Sequence, residues 1–579
     1  MNALVILAFG VFFIIIGYFV YAKLIDKRVI KPDDKKATPA KMFMDGVDFT
    51  PANRNVLFGY QFKSIAALGP IIGPITAVQW GWVPALLWII FGTFFIGWVQ
   101  DYSSIILGLR EEGQSFGALS YKLVSPRSRG ILIMFIYFYL LLIMGAFGYQ
   151  VGFGLLINPA VPLGVILVIF VGLLAGQMTY KWKADILLTT IITAILAFVA
   201  IWVGTQPAVK EFFTGILGIT KELPTGPTMF LTVTQAKLIG SLMVIVICYF
   251  GSVLPIWRWA QPINYVSFWI VAIGLLGGII GLFIWRPSMG NFPAYTSFTV
   301  PGLGPLWPIL FVTIACGAIS GWHSLVSSSG TARQIEKESD ALFVGGGAMF
   351  FEMFLAIIAF LTATVAFGSF EGYKGAGAAA AVFSKGLSVF MNQWGLDKLV
   401  GAGFGVAYGS VFLTLMALTI MYLVTRFMRV ASAEALGDKI PLLKNAHVGT
   451  LLALILTLVL IWLVPFLQIW VVFGAANQLM ASIALLLATL WLMSKGKKYQ
   501  WTFWPFIFMF ITTIAALLYK AYEAFFMNLP KAKTGQVVAA NVIIGAVCLV
   551  LIVASAILVW DALKAFKKYR AQAPAAKPA

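Results

Sequence analysis

Residues 58–82 read FGYQFKSIAALGPIIGPITAVQWGW, an apolar stretch long enough to cross a bilayer that carries the pairs Gly69-Pro70 and Gly73-Pro74. Proline lacks an amide proton and clashes with the preceding turn, and the residue before it is biased away from the helical region. The two pairs therefore predict a helix that unwinds between Gly69 and Pro74. Unwound backbone at membrane depth has to be buried in protein or line a polar cavity.

Two interpretations of this segment stay open. In the first, the free amides and carbonyls of a discontinuous helix bind a substrate or a coupling ion, as they do in secondary transporters. In the second, the prolines only kink the helix and Gly69 and Gly73 form a GxxxG packing face. We favour the first, because doubled Gly-Pro breaks are uncommon. The substrate-binding residues predicted here are Gly69, Pro70, Gly73, Pro74 and Gln79.

The composition indicates a polytopic membrane protein. Apolar residues make up 61% of the 579 positions and charged residues only 11%, a balance that soluble domains of this size do not have. The net charge of +19 comes without a basic motif interleaved with aromatics in a soluble region, so no nucleic-acid partner is predicted. Cys248, Cys316 and Cys548 lie in separate apolar segments without CxxC spacing, which indicates neither a disulfide framework nor a zinc site.

Runs of roughly 20 apolar residues predict about 15 membrane spans in an all-α fold. They lie near residues 3–21, 62–79, 83–108, 131–155, 162–178, 184–204, 237–256, 263–285, 304–326, 342–368, 401–425, 448–467, 470–492, 502–520 and 536–560. The first has no basic region before it and no cleavage site, which predicts a retained span. Placing the lysine-rich segment after it inside puts roughly three times as many basic residues inside as outside. The N-terminus is therefore predicted outside and the C-terminus in the cytoplasm.

A second interruption is predicted around Gly251, Pro255 and Pro262, in the same layout of an apolar half, a Gly/Pro break, an aromatic turn and a clean span. An odd number of spans separates the two interruptions, as an inverted-topology repeat requires. Gly251 and Ser252 therefore join the predicted substrate site.

These features divide the chain into predicted units. A first span with a basic linker is followed by two repeat halves with an exterior loop between them, then additional spans and a disordered tail. The ranges in chain order are 1–61, 62–204, 205–236, 237–425, 426–570 and 571–579. Two exterior loops, 205–236 and 369–400, contain partly apolar stretches that predict interfacial helices or lids.

A third irregular segment, TIACGAISGWHSLVSSSGTAR, is rich in hydroxyls. They belong to Ser320, Ser324, Ser327, Ser328, Ser329 and Thr331. In hydrocarbon such hydroxyls can bond to their own backbone and be structural. Alternatively, Ser328 and Ser329 complete an Na⁺ shell with carbonyls of the first broken helix, since hard cations prefer oxygen ligands.

Long motifs in these regions resemble the carbon starvation protein A (CstA) family of bacterial inner-membrane transporters. The matching stretches are DGVDFTPANRNVLFGYQFKSIAALGPIIGPITAVQWGWVP, WVQDYSSI, LFVTIACGAISGWHSLVSSSGT and GAMFFEMFLAIIA. The resemblance implies cation-coupled symport of small carbon sources, pyruvate or peptides, during nutrient limitation. It also implies a leucine-transporter-like inverted-repeat core. The family often carries histidine just before the Ser-Ile-Ala run, where this chain has Lys63.

Ionisable residues in the spans are candidates for ion coupling. Glu352 lies deep in its span, where a carboxylate is costly unless paired or protonated, so it is the predicted proton carrier; the alternative is a packing residue. His323 either exchanges protons at physiological pH or is a satisfied core histidine. Gln100 and Asp101 are gate candidates, with a helix cap or an ion-pair partner as the alternative for Asp101. Lys63 either snorkels to water or stands in for a coupling cation.

The sequence thus predicts a secondary active transporter of a small polar metabolite, coupled to H⁺ rather than Na⁺ and without a cofactor. Its predicted ion-coupling residues are Glu352, His323, Ser327, Ser328, Ser329 and Lys63. A channel or facilitator without ion coupling is the alternative. No HExxH, GxSxG or phosphate-binding loop occurs in a usable context, so no enzyme activity is predicted. The substrate, the coupling ion and the oligomeric state stay open.

Overall fold

The computed structural model describes residues 2–45, 49–218 and 234–572. These residues are almost wholly helical, with one small antiparallel ribbon formed by β1 (Thr299–Val300) and β2 (Gly304–Pro305). Within them, 13 helices are long and apolar enough to cross a membrane, and one further pair of shorter helices qualifies together. The predicted all-α polytopic fold is confirmed, while the number of spans that cross a membrane stays a prediction.

The helices follow one another with short connections. In chain order they are α1 (Ala3–Ile30), α2 (Pro39–Met42), α3 (Arg54–Ile65), α4 (Gly69–Trp80), α5 (Trp82–Arg110), α6 (Phe116–Leu123), α7 (Pro126–Leu155), α8 (Pro162–Lys181), α9 (Ile186–Gly204), α10 (Pro207–Leu217), α11 (Gln235–Val253), α12 (Ala260–Trp285), α13 (Leu306–Leu310 continuing into Phe311–Thr313), α14 (Gly321–Ser329), α15 (Glu338–Val365), α16 (Phe370–Gly375), α17 (Ala379–Asn392), α18 (Leu396–Val400), α19 (Phe404–Leu436), α20 (Ala446–Leu463), α21 (Phe466–Ser494), α22 (Gln500–Lys531) and α23 (Gly535–Gln572).

The first discontinuous span consists of α3 and α4, which meet at a 50° bend. The prediction of a break was right, but its place was wrong: residues 66–68 are non-helical, whereas Gly69 to Pro74 lie inside α4. The physical reason is that the first amides of a helix have no intrahelical partner, so proline is tolerated in the first turn. Gly69 and Pro70 therefore start the second half-helix, and the break precedes them.

A second interrupted segment is the hydroxyl-rich one, where α13 ends at Thr313 and α14 begins at Gly321. Among the described residues it does not belong to the helices long and apolar enough to cross a membrane, so the predicted span 304–326 stays a prediction. The predicted interruption within residues 251–262 joins two separate helices and does not divide a single one, and the inverted repeat stays a prediction. There the non-helical residues 254–259 join α11 and α12, and each of these is long enough to cross the membrane alone. Gly251 and Pro262 lie inside helices, and the Gly/Pro signal marks a turn between two spans.

The structure places several helices within the predicted units. α3 begins at Arg54, inside the predicted range 1–61, and the division into units stays a prediction. In the loop 205–236 the structure shows α10, while residues 219–233 lie outside the described part. Loop 369–400 contains α17, whose side chains are mostly buried against the protein, so it is a packed helix and no surface lid. α23 continues to Gln572, and the rest of the predicted tail lies outside the described residues.

Among the described helices that could cross a membrane, α21 is the most buried, and its residues 469–493 are all covered by protein. It had been assigned to the additional C-terminal spans, yet it packs against α14 and the end of α13. A helix that is apolar on nearly all sides can be covered by other helices from every direction without burying a charge. α21 thereby becomes the central wall of the region that contains both breaks.

Candidate functional site

The two interrupted segments contact each other at their breaks. A Cβ added to Gly73 would lie 2.7 Å from the carbonyl oxygen of Thr313, and one added to Gly69 would overlap Cys316. From the other side, a Cβ on Gly317 would lie 3.3 Å from Pro70 Cα. The packing role of the GxxxG interpretation is confirmed, because these glycines allow the backbone of α4 to approach residues 313–317 closely; the binding role of the break stays a prediction.

The backbone of the second break is satisfied by side chains of α21. Gln478 Nε2 donates to the carbonyls of Phe311 (2.8 Å) and Ile314 (3.1 Å), and Trp470 Nε1 donates to that of Thr313 (3.2 Å). These contacts provide partners for carbonyls that lose their intrahelical bonds where α13 ends.

At the start of α14 the partner is Asn477. Its Oδ1 accepts hydrogen bonds from the Gly321 amide (2.9 Å), Ser320 Oγ (3.1 Å) and Tyr139 OH (2.6 Å). Sequence reasoning missed Asn477 and Gln478. The signal that could have found them is an adjacent pair of amides in the middle of an otherwise apolar helix.

Three of the predicted residues meet beside the second break. His323 Nδ1 lies 3.0 Å from Asp101 Oδ2, and His323 Nε2 lies 3.2 Å from Glu352 Oε2. The three side chains come from α14, α5 and α15, and all are fully buried. Asp101 is thus no cap at the end of a span, because it pairs with His323. The neighbouring Gln100 donates to Ser324 Oγ on α14.

This cluster of Asp101, His323 and Glu352 has spare hydrogen-bonding capacity. Both oxygens of Glu352 and Nε2 of His323 have no aligned hydrogen-bond partner within the described protein, although they are completely covered. The same is true of Gln100 Oε1 and of two hydroxyls at the breaks, Ser64 Oγ and Thr313 Oγ1. Buried polar groups are normally paired, so a concentration of unpaired ones marks a place where a proton or a polar ligand is accommodated.

The hydroxyls of α14 serve two purposes. Ser328 and Ser329 donate to carbonyls of their own helix, those of Ser324 (2.8 Å) and Leu325 (2.5 Å). Ser327 Oγ instead accepts from Gln61 Nε2 (3.0 Å). Thr331 donates to the other end of the same Gln61 amide and so helps to connect α3 with α14. The Na⁺ site at Ser328 and Ser329 stays an untested prediction.

Lys63 does not reach water. Its side chain is buried, and its ammonium donates to Thr419 Oγ1 (2.7 Å) on α19. The snorkelling interpretation is therefore wrong. The last turns of α3 pack against α14, α15 and α19, which leaves the side chain no path to the surface.

Gln79 lies at the far end of α4, away from the breaks. Its carbonyl accepts from Thr296 Oγ1 (2.6 Å), and nearby the Ile75 carbonyl accepts from Tyr373 OH (2.8 Å). The segment before β1 and the helix α16 thus cover this end of α4. With Gln61 connecting α3 and α14 at the other end, the breaks are enclosed on both sides.

Gly251 and Ser252 belong to another part of the molecule. Arg426 donates to the Gly251 carbonyl (2.9 Å), Arg429 donates to the Ser252 carbonyl (2.8 Å), and Ser252 Oγ bonds to Thr450 Oγ1 (2.9 Å). The structure does not bring them together with Gly69, Pro70, Gly73 and Pro74. The reason is that they form the C-terminal end of the complete helix α11, whose free carbonyls are capped by arginines.

One arrangement resembles a set of metal ligands. Ligand atoms of Cys316, His323 and Glu352 all lie within 4.8 Å of one another and are buried. The thiol of Cys316, however, already donates to Ser320 Oγ and accepts from Asn477 Nδ2, each at 3.5 Å. A thiol that donates is protonated, whereas a metal-bound sulfur is a thiolate. The absence of a metal site stays a prediction.

Comparison with known proteins places the chain among transporters. The model of the family described as carbon starvation protein CstA matches residues 2–376 and 367–516. The chain is 28% identical to the peptide transporter CstA of Escherichia coli, over 93% of this chain and 83% of that protein. It is also 28% identical to the pyruvate/proton symporter BtsT of Escherichia coli, over 90% of this chain and 82% of that protein.

The chain also matches a further relative and a solved structure. The peptide transporter CstA of Bacillus subtilis is 32% identical over 63% of this chain and 58% of its own length. Among solved structures, a manganese transporter of Eremococcus coleocola aligns with 90% of this chain and 99% of its own, at 13% identity and a TM-score of 0.41. The match of the family model over most of the sequence decides the assignment. The chain belongs to the carbon starvation protein CstA family.

Proposed function

We propose that the protein is a secondary active transporter that imports a small carbon source, pyruvate or a short peptide, together with protons across the bacterial inner membrane. The observation that carries the proposal is the buried cluster of Asp101, His323 and Glu352 at the junction of the two discontinuous helices. The related proteins named as peptide transporters and as a pyruvate/proton symporter support the substrate class.

The charge balance of the cluster explains why a proton would be coupled to movement. The cluster is buried away from water, and an isolated buried charge is strongly unfavourable. Two carboxylates and a neutral imidazole carry a net charge of −2, so the cluster is neutral only after it has taken up two protons. Gain or loss of a proton changes the buried charge by one. Such a change is favourable only if water or substrate can reach the cluster, which requires one of the two enclosing sides to open.

The substrate is expected beside the breaks. The N-terminal end of α4 carries the positive end of a helix dipole, which favours a carboxylate. The hydroxyls of Ser64 and Thr313 are unpaired donors and acceptors at the same place. The proposed binding residues are therefore Gly69, Pro70, Ser64 and Thr313, with Gly73 as the contact that sets the distance between the two breaks.

Movement of protons with substrate separates this proposal from its alternatives. Purified protein in liposomes is supplied with labelled pyruvate or a labelled dipeptide, and an H⁺ or an Na⁺ gradient is imposed separately. Accumulation driven by an inward H⁺ gradient, with no effect of Na⁺, is the expected result. If the substrate equilibrates across the membrane but does not accumulate under either gradient, the protein is a facilitator. If only an Na⁺ gradient drives accumulation, the predicted Na⁺ site at Ser328 and Ser329 is supported instead. The predicted cytoplasmic C-terminus can be checked with the same vesicles by proteolysis.

A further inference from the structure

We infer that Lys63 is a resident cation of the transporter: its ammonium joins the half-helix α3 to α19 and occupies a position at the Thr419 hydroxyl that a free sodium ion can enter when the ammonium is removed. The inference rests on the proposed transport function for its consequence, but not on proton coupling through Glu352. It predicts a protein that does not require Na⁺.

The first observation is that Lys63 has no acidic partner. Within residues 2–45, 49–218 and 234–572, no carboxylate lies within 4.0 Å of its ammonium. A second buried lysine, Lys520, behaves in the usual way and pairs with Glu523 at 2.6 Å. Buried charges are usually paired, and an unpaired one inside a membrane protein is a functional feature by default.

The second observation concerns what surrounds the ammonium. Lys63 lies in the last turn of α3, immediately before the break, where a helix carries partial negative charge and free carbonyls. Its hydrogen bond goes to Thr419 Oγ1, which itself donates to the Met416 carbonyl (3.2 Å). A threonine hydroxyl is a neutral oxygen ligand of the kind that hard cations prefer.

The third observation is the pair of elements that the contact connects. α3 is one half of a discontinuous span, whereas α19 is a continuous helix that spans 33 residues. Any movement of α3 away from α19 has to break the bond between Lys63 and Thr419. A cation at this point therefore stabilises the enclosed arrangement, and a covalently attached ammonium does so at every Na⁺ concentration.

The test removes the ammonium and supplies sodium instead. Lys63→Ala is compared with the unaltered protein in detergent, in NaCl and in choline chloride at equal ionic strength, by thermal unfolding. We expect the midpoint of the unaltered protein to be the same in both salts. The variant should unfold at a lower temperature in choline, and NaCl should raise its midpoint, because a ligand that binds only the folded state stabilises it.

A second measurement follows the rate of substrate exchange. Exchange of labelled for unlabelled pyruvate, or of a dipeptide, is measured in liposomes without any ion gradient, so that a failure of proton coupling leaves the readout intact. Lys63→Ala is expected to exchange about tenfold more slowly in choline, in line with the loss of a buried charged contact. NaCl should restore most of the rate, whereas the unaltered protein should respond to neither salt.

Thr419 provides the matched control. Thr419→Ser keeps the hydroxyl and should preserve the Na⁺ response when combined with Lys63→Ala, whereas Thr419→Val should abolish it. If Lys63→Ala does not fold, Lys63→Gln takes its place in every comparison. The inference is overturned by a loss that no salt restores, by full stability and exchange of the Lys63 variants in choline, or by an Na⁺ requirement of the unaltered protein.

Discussion

The two helix breaks, between α3 and α4 and between α13 and α14, have different causes. Between α3 and α4 the break is short, and local chemistry produces it: Gly69 and Pro70 start a new helix where the chain has just left the old one. Between α13 and α14 the break at residues 314–320 contains no proline, and its backbone is held by α21. The first break is thus encoded nearby in the sequence, whereas the second depends on side chains far along the chain.

The largest effect is expected from a substitution that removes the support given by α21 to the second break. Asn477→Leu removes the shared acceptor of the Gly321 amide, the Ser320 hydroxyl and the Tyr139 hydroxyl and leaves these donors buried without it. We expect a loss of about 3 kcal/mol or more in the free energy of unfolding, since each unsatisfied buried donor costs about 1–3 kcal/mol. Thermal or chemical unfolding in detergent measures it.

Asn541→Leu is the matched control, because Asn541 is equally buried but donates only to the Val537 carbonyl of its own helix. Its expected cost is about 1 kcal/mol or less. Equal destabilisation by the two substitutions would show that the second break does not depend on α21.

This difference also explains what could be predicted from the sequence. The first break was found because Gly-Pro chemistry acts on neighbouring residues, and it was misplaced because proline also fits the start of a helix. The hydroxyls of α14 marked the second span as irregular, but its partner Asn477 lies on α21 and only packing brings the two together. Asp101, His323 and Glu352 were each recognised as buried ionisable residues. Their grouping could not be predicted, since it requires α5, α14 and α15 to meet.

A smaller effect is expected where the two breaks touch. Gly73→Ala places a methyl group 2.7 Å from the Thr313 carbonyl oxygen, which must push the breaks apart. We expect a loss of about 1–3 kcal/mol, typical of overpacking in a close-packed interior, together with slower substrate exchange. Gly59→Ala on α3 is the control, because no atom lies within 4 Å of the added Cβ. If both variants exchanged at the unaltered rate, contact between the breaks would be unimportant for transport.

The smallest effect concerns the hydroxyls of α14. Because Ser328 and Ser329 donate to carbonyls of their own helix, replacing both with alanine should change stability by less than about 1 kcal/mol and leave H⁺-driven uptake intact. Uptake with and without Na⁺ is the measurement. An Na⁺ activation that is present in the unaltered protein and lost in the double variant would identify a sodium site instead.

The central claim is that a proton taken up by the cluster of Asp101, His323 and Glu352 drives accumulation of substrate. Glu352→Gln keeps the shape of the side chain and removes its titratable oxygen, while Glu371→Gln makes the same change on the exposed face of α16. Both variants are assayed in liposomes for accumulation under an imposed pH gradient and for exchange without one. We predict that Glu352→Gln exchanges substrate but no longer accumulates it, and that Glu371→Gln does both. Accumulation by Glu352→Gln at the unaltered level would contradict the claim.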